Sequence, residues 1–188
     1  MTCNNDNNNK LIILIMGVSG SGKTTIGKGI AEKLNCGFND ADEFHSEANI
    51  NKMKSGIPLN DDDRKPWLEA INKRMTEFLN NSTSITHNHV FTCSALKSIY
   101  REIISNSIPK DKILFIFLKG DKEILGERLN SRQGHFFNPA LLDSQLEALQ
   151  EPNDQDLKTN HFLTINIRSS VDEIINNILK FIKDQFNQ

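Results

Sequence analysis

Apolar and polar residues alternate along this chain in blocks, and the blocks predict its elements. Residues 11–16 (Leu-Ile-Ile-Leu-Ile-Met) form a continuous, β-branched-rich run, as a strand buried on both faces of a parallel sheet requires. A glycine-rich turn follows, then a helical stretch over about residues 23–34. Phe38 leads a short second strand that ends near Asp40. Residues 46–54 are polar with helical character, and Gly56 and Pro58 close them. Trp67, Leu68, Ile71, Met75, Phe78 and Leu79 recur at helical spacing, with Asp61 to Asp63 and Pro66 as start signals. Residues 90–93 predict a third strand, and Leu96, Ile99, Tyr100, Ile103 and Ile104 an amphipathic helix. A fourth strand is expected over residues 113–118, and Ile124, Leu125 and Leu129 mark the helix after it. Residues 133–156 lack a strand pattern and read as a mobile segment with one short helix. A fifth strand over residues 163–167 precedes a closing helix carrying Val171, Ile174, Ile175, Ile178 and Ile182.

Strands separated by helices imply βαβ crossovers and a parallel sheet covered on both faces, an α/β fold of about five strands. Ligands of such sheets bind beyond the carboxyl ends of the strands. The chemistry is therefore expected just after Met16, Phe38, Cys93 and Leu118. Residues 2–9, mostly asparagine, bury no apolar surface and read as a disordered tail (1–9) before one domain over 10–188.

Composition narrows the function classes. A net charge of −2 lacks the basic excess of a nucleic-acid binder. No apolar run approaches the ~18 residues of a membrane span. Cys3, Cys36 and Cys93 are odd in number and show no paired metal spacing, which fits reduced thiols in a cytoplasmic protein. The histidines, His45, His87, His89, His135 and His161, have no metal-ligand spacing either, and the surface reading is preferred for His87 and His89.

The sharpest signal is Gly17-Val18-Ser19-Gly20-Ser21-Gly22-Lys23-Thr24, followed by Thr25, a full match to G-x-x-x-x-G-K-[ST]. The glycines let consecutive N–H groups point inward as an anion nest, and the next helix adds its positive end. Lys23 can reach the β- and γ-phosphates of ATP, and the Thr24 hydroxyl can bind Mg²⁺. A chance match in a chain of this length has a probability of about one in a hundred, and this one lies between a strand and a helix, where the mechanism needs it. A GTPase switch is excluded: no glycine has aspartate three residues before it, and neither Asn51-Lys52 nor Asn72-Lys73 is followed by aspartate two residues later. A small-molecule kinase with a lid over about 130–156 fits better.

Asp40 and Asp42 close the second strand beside that loop, one placed to serve Mg²⁺ and the other the acceptor hydroxyl. Capping of the next helix is the plainer reading. Asp61 to Asp63 make a good acidic helix start, and Arg64 behind them suits a substrate carboxylate. Arg128 and Arg132, four apart, face the lid and are placed to stabilise charge on a transferring phosphoryl group; a solvated helix face is the alternative.

Beyond the loop, Asp40-Ala-Asp-Glu-Phe-His45, Asn49-Ile-Asn-Lys-Met53, Ser55-Gly-Ile-Pro-Leu-Asn-Asp-Asp-Asp-Arg-Lys-Pro-Trp-Leu68, Cys93-Ser-Ala-Leu-Lys97, Phe117-Leu-Lys-Gly-Asp121, Glu127-Arg-Leu129, Arg132-Gln-Gly-His-Phe136, Leu141-Leu-Asp-Ser-Gln145 and Gln150-Glu-Pro152 occur in order. With these segments the chain resembles the gluconokinases of the P-loop sugar-acid kinases, relatives of shikimate kinase. The resemblance implies transfer of the ATP γ-phosphoryl group to the 6-hydroxyl of D-gluconate. It also implies a small-molecule substrate, Mg²⁺ as cofactor and a homodimer, without nucleic-acid or membrane partners. By that resemblance Asp40 is the magnesium-side carboxylate and Asp42 the acceptor-side one. Arg64 meets the gluconate carboxylate, while His45, Lys97 and His135 are further substrate contacts. Lys23, Asp42, Arg128 and Arg132 form the catalytic set, and lid closure would exclude water. A kinase of another small acid or nucleoside monophosphate, and an ATP-binding regulator without turnover, are the rival readings.

Overall fold

The computed structural model describes residues 10–83, 86–131 and 139–186. Five parallel strands form its sheet, in the order β2-β3-β1-β4-β5. They are β1 (Leu11–Met16), β2 (Gly37–Asp40), β3 (Asn88–Thr92), β4 (Ile113–Lys119) and β5 (His161–Asn166). Between them run α1 (Lys23–Lys33), α2 (Glu47–Lys54), α3 (Asp61–Asn80), α4 (Ser98–Ser105), α5 (Lys122–Asn130), α6 (Pro139–Ala148) and α7 (Asp154–Thr159), and α8 (Val171–Phe186) closes the chain.

β1 is central, with Ile13 opposite Val90 on one side and Leu114 on the other. All six of its residues are buried, which is why its sequence is apolar without alternation. The period of two shows in the packing instead. Leu11, Ile13 and Ile15 join one core with α1 and α8 residues such as Ile26, Ile30, Ile174 and Ile178. Ile12, Leu14 and Met16 join the other, with Leu68, Ile71 and Met75 of α3 and Ile104 of α4.

Element ends follow local chemistry. α3 opens on a capping box in which Asn60 and Asp63 exchange side-chain-to-backbone bonds. Pro66 thus lies inside the helix instead of at its start. Lys10 Nζ closes the other end of α3, donating to the carbonyls of Phe78 (2.9 Å) and Leu79 (3.4 Å) and to that of Asn81.

Three expectations need correcting. The segment read as holding one short helix holds α6 and then α7, the latter started by an Asn153–Asp156 capping box that its polar sequence disguised. β3 begins two residues early because Asn88 and His89 are buried although polar. His89 is therefore no surface residue: Nε2 bonds to Asn39 Oδ1 at 2.9 Å, and the ring lies 4.7 Å from that of Phe91. His87 is exposed, as read. The expected tail at 1–9 lies outside the described residues.

Candidate active site

The phosphate loop leaves β1 at Gly17, whose φ of 143° only glycine adopts without strain. Space requires glycine there as well, since a Cβ would sit 2.9 Å from the carbonyl oxygen of Leu118. At Gly20 (φ 82°) a Cβ would sit 2.9 Å from Leu129 Cγ and 3.0 Å from the Leu125 carbonyl oxygen, so the loop is moulded against α5. α1 then starts at Lys23 with no side-chain cap and no acidic residue in its first turn. A helix start with no side-chain cap and no acidic residue of its own leaves its N–H groups for an incoming phosphate.

Lys23 folds across the loop, Nζ donating to the carbonyls of Gly17 at 2.8 Å and Val18 at 3.0 Å. Thr24 Oγ1 donates to Asp40 Oδ2 at 3.1 Å, and Asp40 Oδ1 accepts the N–H of Asp42 at 3.2 Å. Asp40 therefore caps the 3₁₀ turn Ala41–Phe44 and reaches the loop at once; the two readings of this residue hold together. The paired hydroxyl and carboxylate are hard oxygen donors of the kind Mg²⁺ takes. Cys93 lies in the floor beneath, fully buried near Lys23, Asp40 and Asp42; burial pushes its thiol up to about 12, so it is no nucleophile.

Beside the loop, Gly22, Thr25, Arg128, Ser131, Val171 and Ile174 line a cavity of about 230 Å³. Arg128 is held there by a 2.6 Å bond from Nη2 to the carbonyl of Ile167. A wider depression of about 550 Å³ runs along the outer face of α3, past Asn72, Thr76 and Asn80. It belongs to the end of the sheet where Lys10 enters β1, away from the phosphate loop, and we assign it no part in the chemistry.

The residues expected on the acceptor side lie on and beyond the 3₁₀ turn. His45 stacks on Trp67 with centroids 4.3 Å apart, and Trp67 Nε1 donates to the Ala41 carbonyl at 2.7 Å. His45 Nε2 stands 4.0 Å from Asp42 Oδ1, while Asp42 itself projects outward with its side chain 88% exposed. Burial lowers the His45 pKa, against the pull of Asp42 and with the push of Arg64, so the ring is neutral near pH 7. Arg64 Nη1 donates to the Leu59 carbonyl, and its guanidinium lies 5.9 Å over Tyr100. Lys97 Nζ meets both oxygens of Asp61 at 2.9 and 2.8 Å, and Tyr100 donates its hydroxyl to the same carboxylate. These bonds, Lys97's first, hold the Asp61 carboxyl below its ordinary range.

The acidic run thus divides. Asp61 joins the cations of the site, whereas Asp63 stays in the cap and pairs with Lys52 at 2.5 Å. Asp61 and Tyr100 were not singled out as site residues. Tyr100 reads in sequence as one more apolar helix position, and nothing local marks Asp61, 36 residues from Lys97, as its partner. Of the other candidates, Arg132 and His135 lie outside the described residues.

Comparisons with known proteins show which family the chain belongs to. A profile of the shikimate kinase family matches residues 19–183. Over 179 residues the chain is 63% identical to a probable gluconokinase of Dictyostelium discoideum, spanning 95% of this chain and 90% of that one. The thermoresistant gluconokinase of Escherichia coli K12 is 39% identical over 182 residues, 97% of either chain. The crystal structure of a gluconokinase from Sinorhizobium meliloti 1021 superposes with a TM-score of 0.78 at 38% identity, covering 94% of this chain and 93% of that one. The chain belongs to the shikimate kinase family and, within it, to the gluconokinases.

Proposed function

We propose that this protein transfers the γ-phosphoryl group of ATP to the 6-hydroxyl of D-gluconate, giving 6-phosphogluconate and ADP. The observation that carries the reading is the Thr24–Asp40 bond, which joins the phosphate loop to the turn carrying Asp42. Trp67 of α3 packs on that turn, and in this reading Arg64 and Lys97, which meet at Asp61, make the corner that takes the carboxylate.

In this reading the loop amides and Lys23 hold the β- and γ-phosphates. Thr24 and Asp40 would hold Mg²⁺, which supplies positive charge to the phosphates when bound. Asp42 orients the 6-hydroxyl and accepts its proton as the oxygen attacks phosphorus and ADP leaves. Arg64 and Lys97, with their charge now shared with Asp61, grip the gluconate carboxylate. Arg128 and Arg132 stabilise the charge spread over the transferring group, and residues 130–156 act as the lid that keeps water out.

The test is ADP release from Mg-ATP with gluconate, shikimate and related sugar acids offered separately. A rate that depends on gluconate supports the reading. Release with another acid alone overturns the substrate, and ATP binding without any acceptor-dependent rate overturns the enzyme.

A further inference from the structure

Gln145 of α6 is bound to the phosphate loop from both ends of its carboxamide. Oε1 accepts the Ser19 N–H at 2.7 Å, and Nε2 donates to Ser19 Oγ at 3.0 Å, across 126 residues of sequence. α6 does not need these bonds to be held in place. Leu142 is buried in the core that includes Leu125 and Leu129 of α5, and Asp143 pairs with Lys122 of α5 at 2.6 Å. The carboxamide therefore acts on the loop more than on the helix. Ser19 immediately precedes Gly20, so its peptide fixes the direction in which the following amides point. Beyond α6, the Gln150 N–H donates to the Leu96 carbonyl at 2.8 Å, and Gln150 Oε1 accepts the Ser98 N–H at 2.7 Å. One short segment thus grips the phosphate loop at Ser19 and the turn that carries Lys97.

We propose that Gln145 is a positioning residue for phosphoryl transfer: through Ser19 it sets the apex of the loop beside the transferring group. The proposal rests on the kinase reading above. Gln145→Ala removes both bonds. Gln145→Glu keeps the length and the acceptor for the Ser19 N–H, and the Ser19 hydroxyl can turn to donate; its one change is a negative charge beside the ATP phosphates.

The experiment measures ATP affinity without acceptor, then kcat, gluconate KM and thermal midpoint, for the full chain and both variants. Leu142→Ala serves as a control that loosens α6 without touching the loop. Gln145→Ala should lower kcat about tenfold, the scale of a lost hydrogen bond, with gluconate KM and midpoint near those of the unmodified chain. Gln145→Glu should bind ATP about tenfold more weakly than Gln145→Ala, from like-charge repulsion. Equal ATP affinity in the two variants overturns the proposal, because the residue is then not beside the phosphates. So does an unchanged kcat in Gln145→Ala, or a midpoint lowered in Gln145→Ala as far as in Leu142→Ala, since the bonds would then serve the helix and not the loop. Failure of gluconate turnover in the unmodified chain would count against the function alone, since the ATP comparison needs no acceptor.

Discussion

Arg64 and Lys97 meet at one carboxylate, and that shared partner fixes what each substitution should do. Arg64→Ala takes away a guanidinium from the acceptor corner and leaves the phosphate loop as it is. Gluconate KM should rise about ten- to hundredfold, with kcat within about threefold, as loss of ground-state binding by a charged hydrogen-bond donor does. A KM that stays put in steady-state assays would remove Arg64 from the carboxylate site. Lys23→Ala is its opposite: it removes the ammonium proposed to hold the phosphates, so kcat should fall by roughly two to three orders of magnitude, while the circular dichroism spectrum is retained. Turnover within a few-fold of the parent chain would refute that role. The loop was fully legible in the sequence because its eight residues are contiguous and their spacing is itself the mechanism. The acceptor corner was legible only in part. Arg64 and Lys97 stand in recognisable segments, but their common partner Asp61 is defined by the way α3 and α4 pack, which no local pattern encodes.

At the scale of elements, the least legible feature is the buried ion pair between α4 and α7. Arg101 and Asp156 have side chains 0% and 3% exposed, joined at 2.8 Å between Nη2 and Oδ2 and at 3.0 Å between Nε and Oδ1. Arg101 Nη1 also donates to the carbonyls of Ala95, Leu96 and Gln150. The pair therefore clamps the turn after β3 against the segment that follows α6. Nothing in the local sequence marks Arg101 for burial. Asp156→Ala would strand a buried guanidinium, at a cost of about 3–5 kcal/mol, seen as a lower urea midpoint. An unshifted midpoint would show the pair to be dispensable. β1 and β4 were legible because both faces are buried; the early starts of β3 and β5 were not, since Asn88, His89 and His161 are polar residues that pairing carries into the sheet.

At the scale of the whole molecule, acid should weaken the fold through its histidines, the buried His89 first. Burial among Phe78, Phe91 and the sheet, with Arg74 adding to it, holds the His89 pKa down to about 4. The unfolded chain takes up that proton near the ordinary value of about 6.5. Between those values the unfolded state binds more protons, so stability is complete above about 6.5 and falls as pH drops towards 4. His45 and His161 are shifted downwards too and act in the same direction. His89→Gln isolates one contribution: its stability should depend on pH more weakly than the parent's, by about one proton at pH 5. Parallel curves from denaturant titrations at several pH values would exclude His89 as a source.

The order of the strands has a bearing on how such a protein can change over time. The phosphate loop springs from β1, flanked on both sides and buried throughout, while Asp40 ends and Asp42 follows β2, a half-buried strand at the rim with one neighbour. Native-state hydrogen exchange should find the amides of β1 opening only with global unfolding and those of β2 opening earlier. On the proposed roles, mutations beyond Asp40 that reshape the turn carrying Asp42 would alter which hydroxyl is presented while the loop after β1 stays in place. Acceptor choice is thus the evolvable half of this molecule, and the handling of ATP is its inheritance.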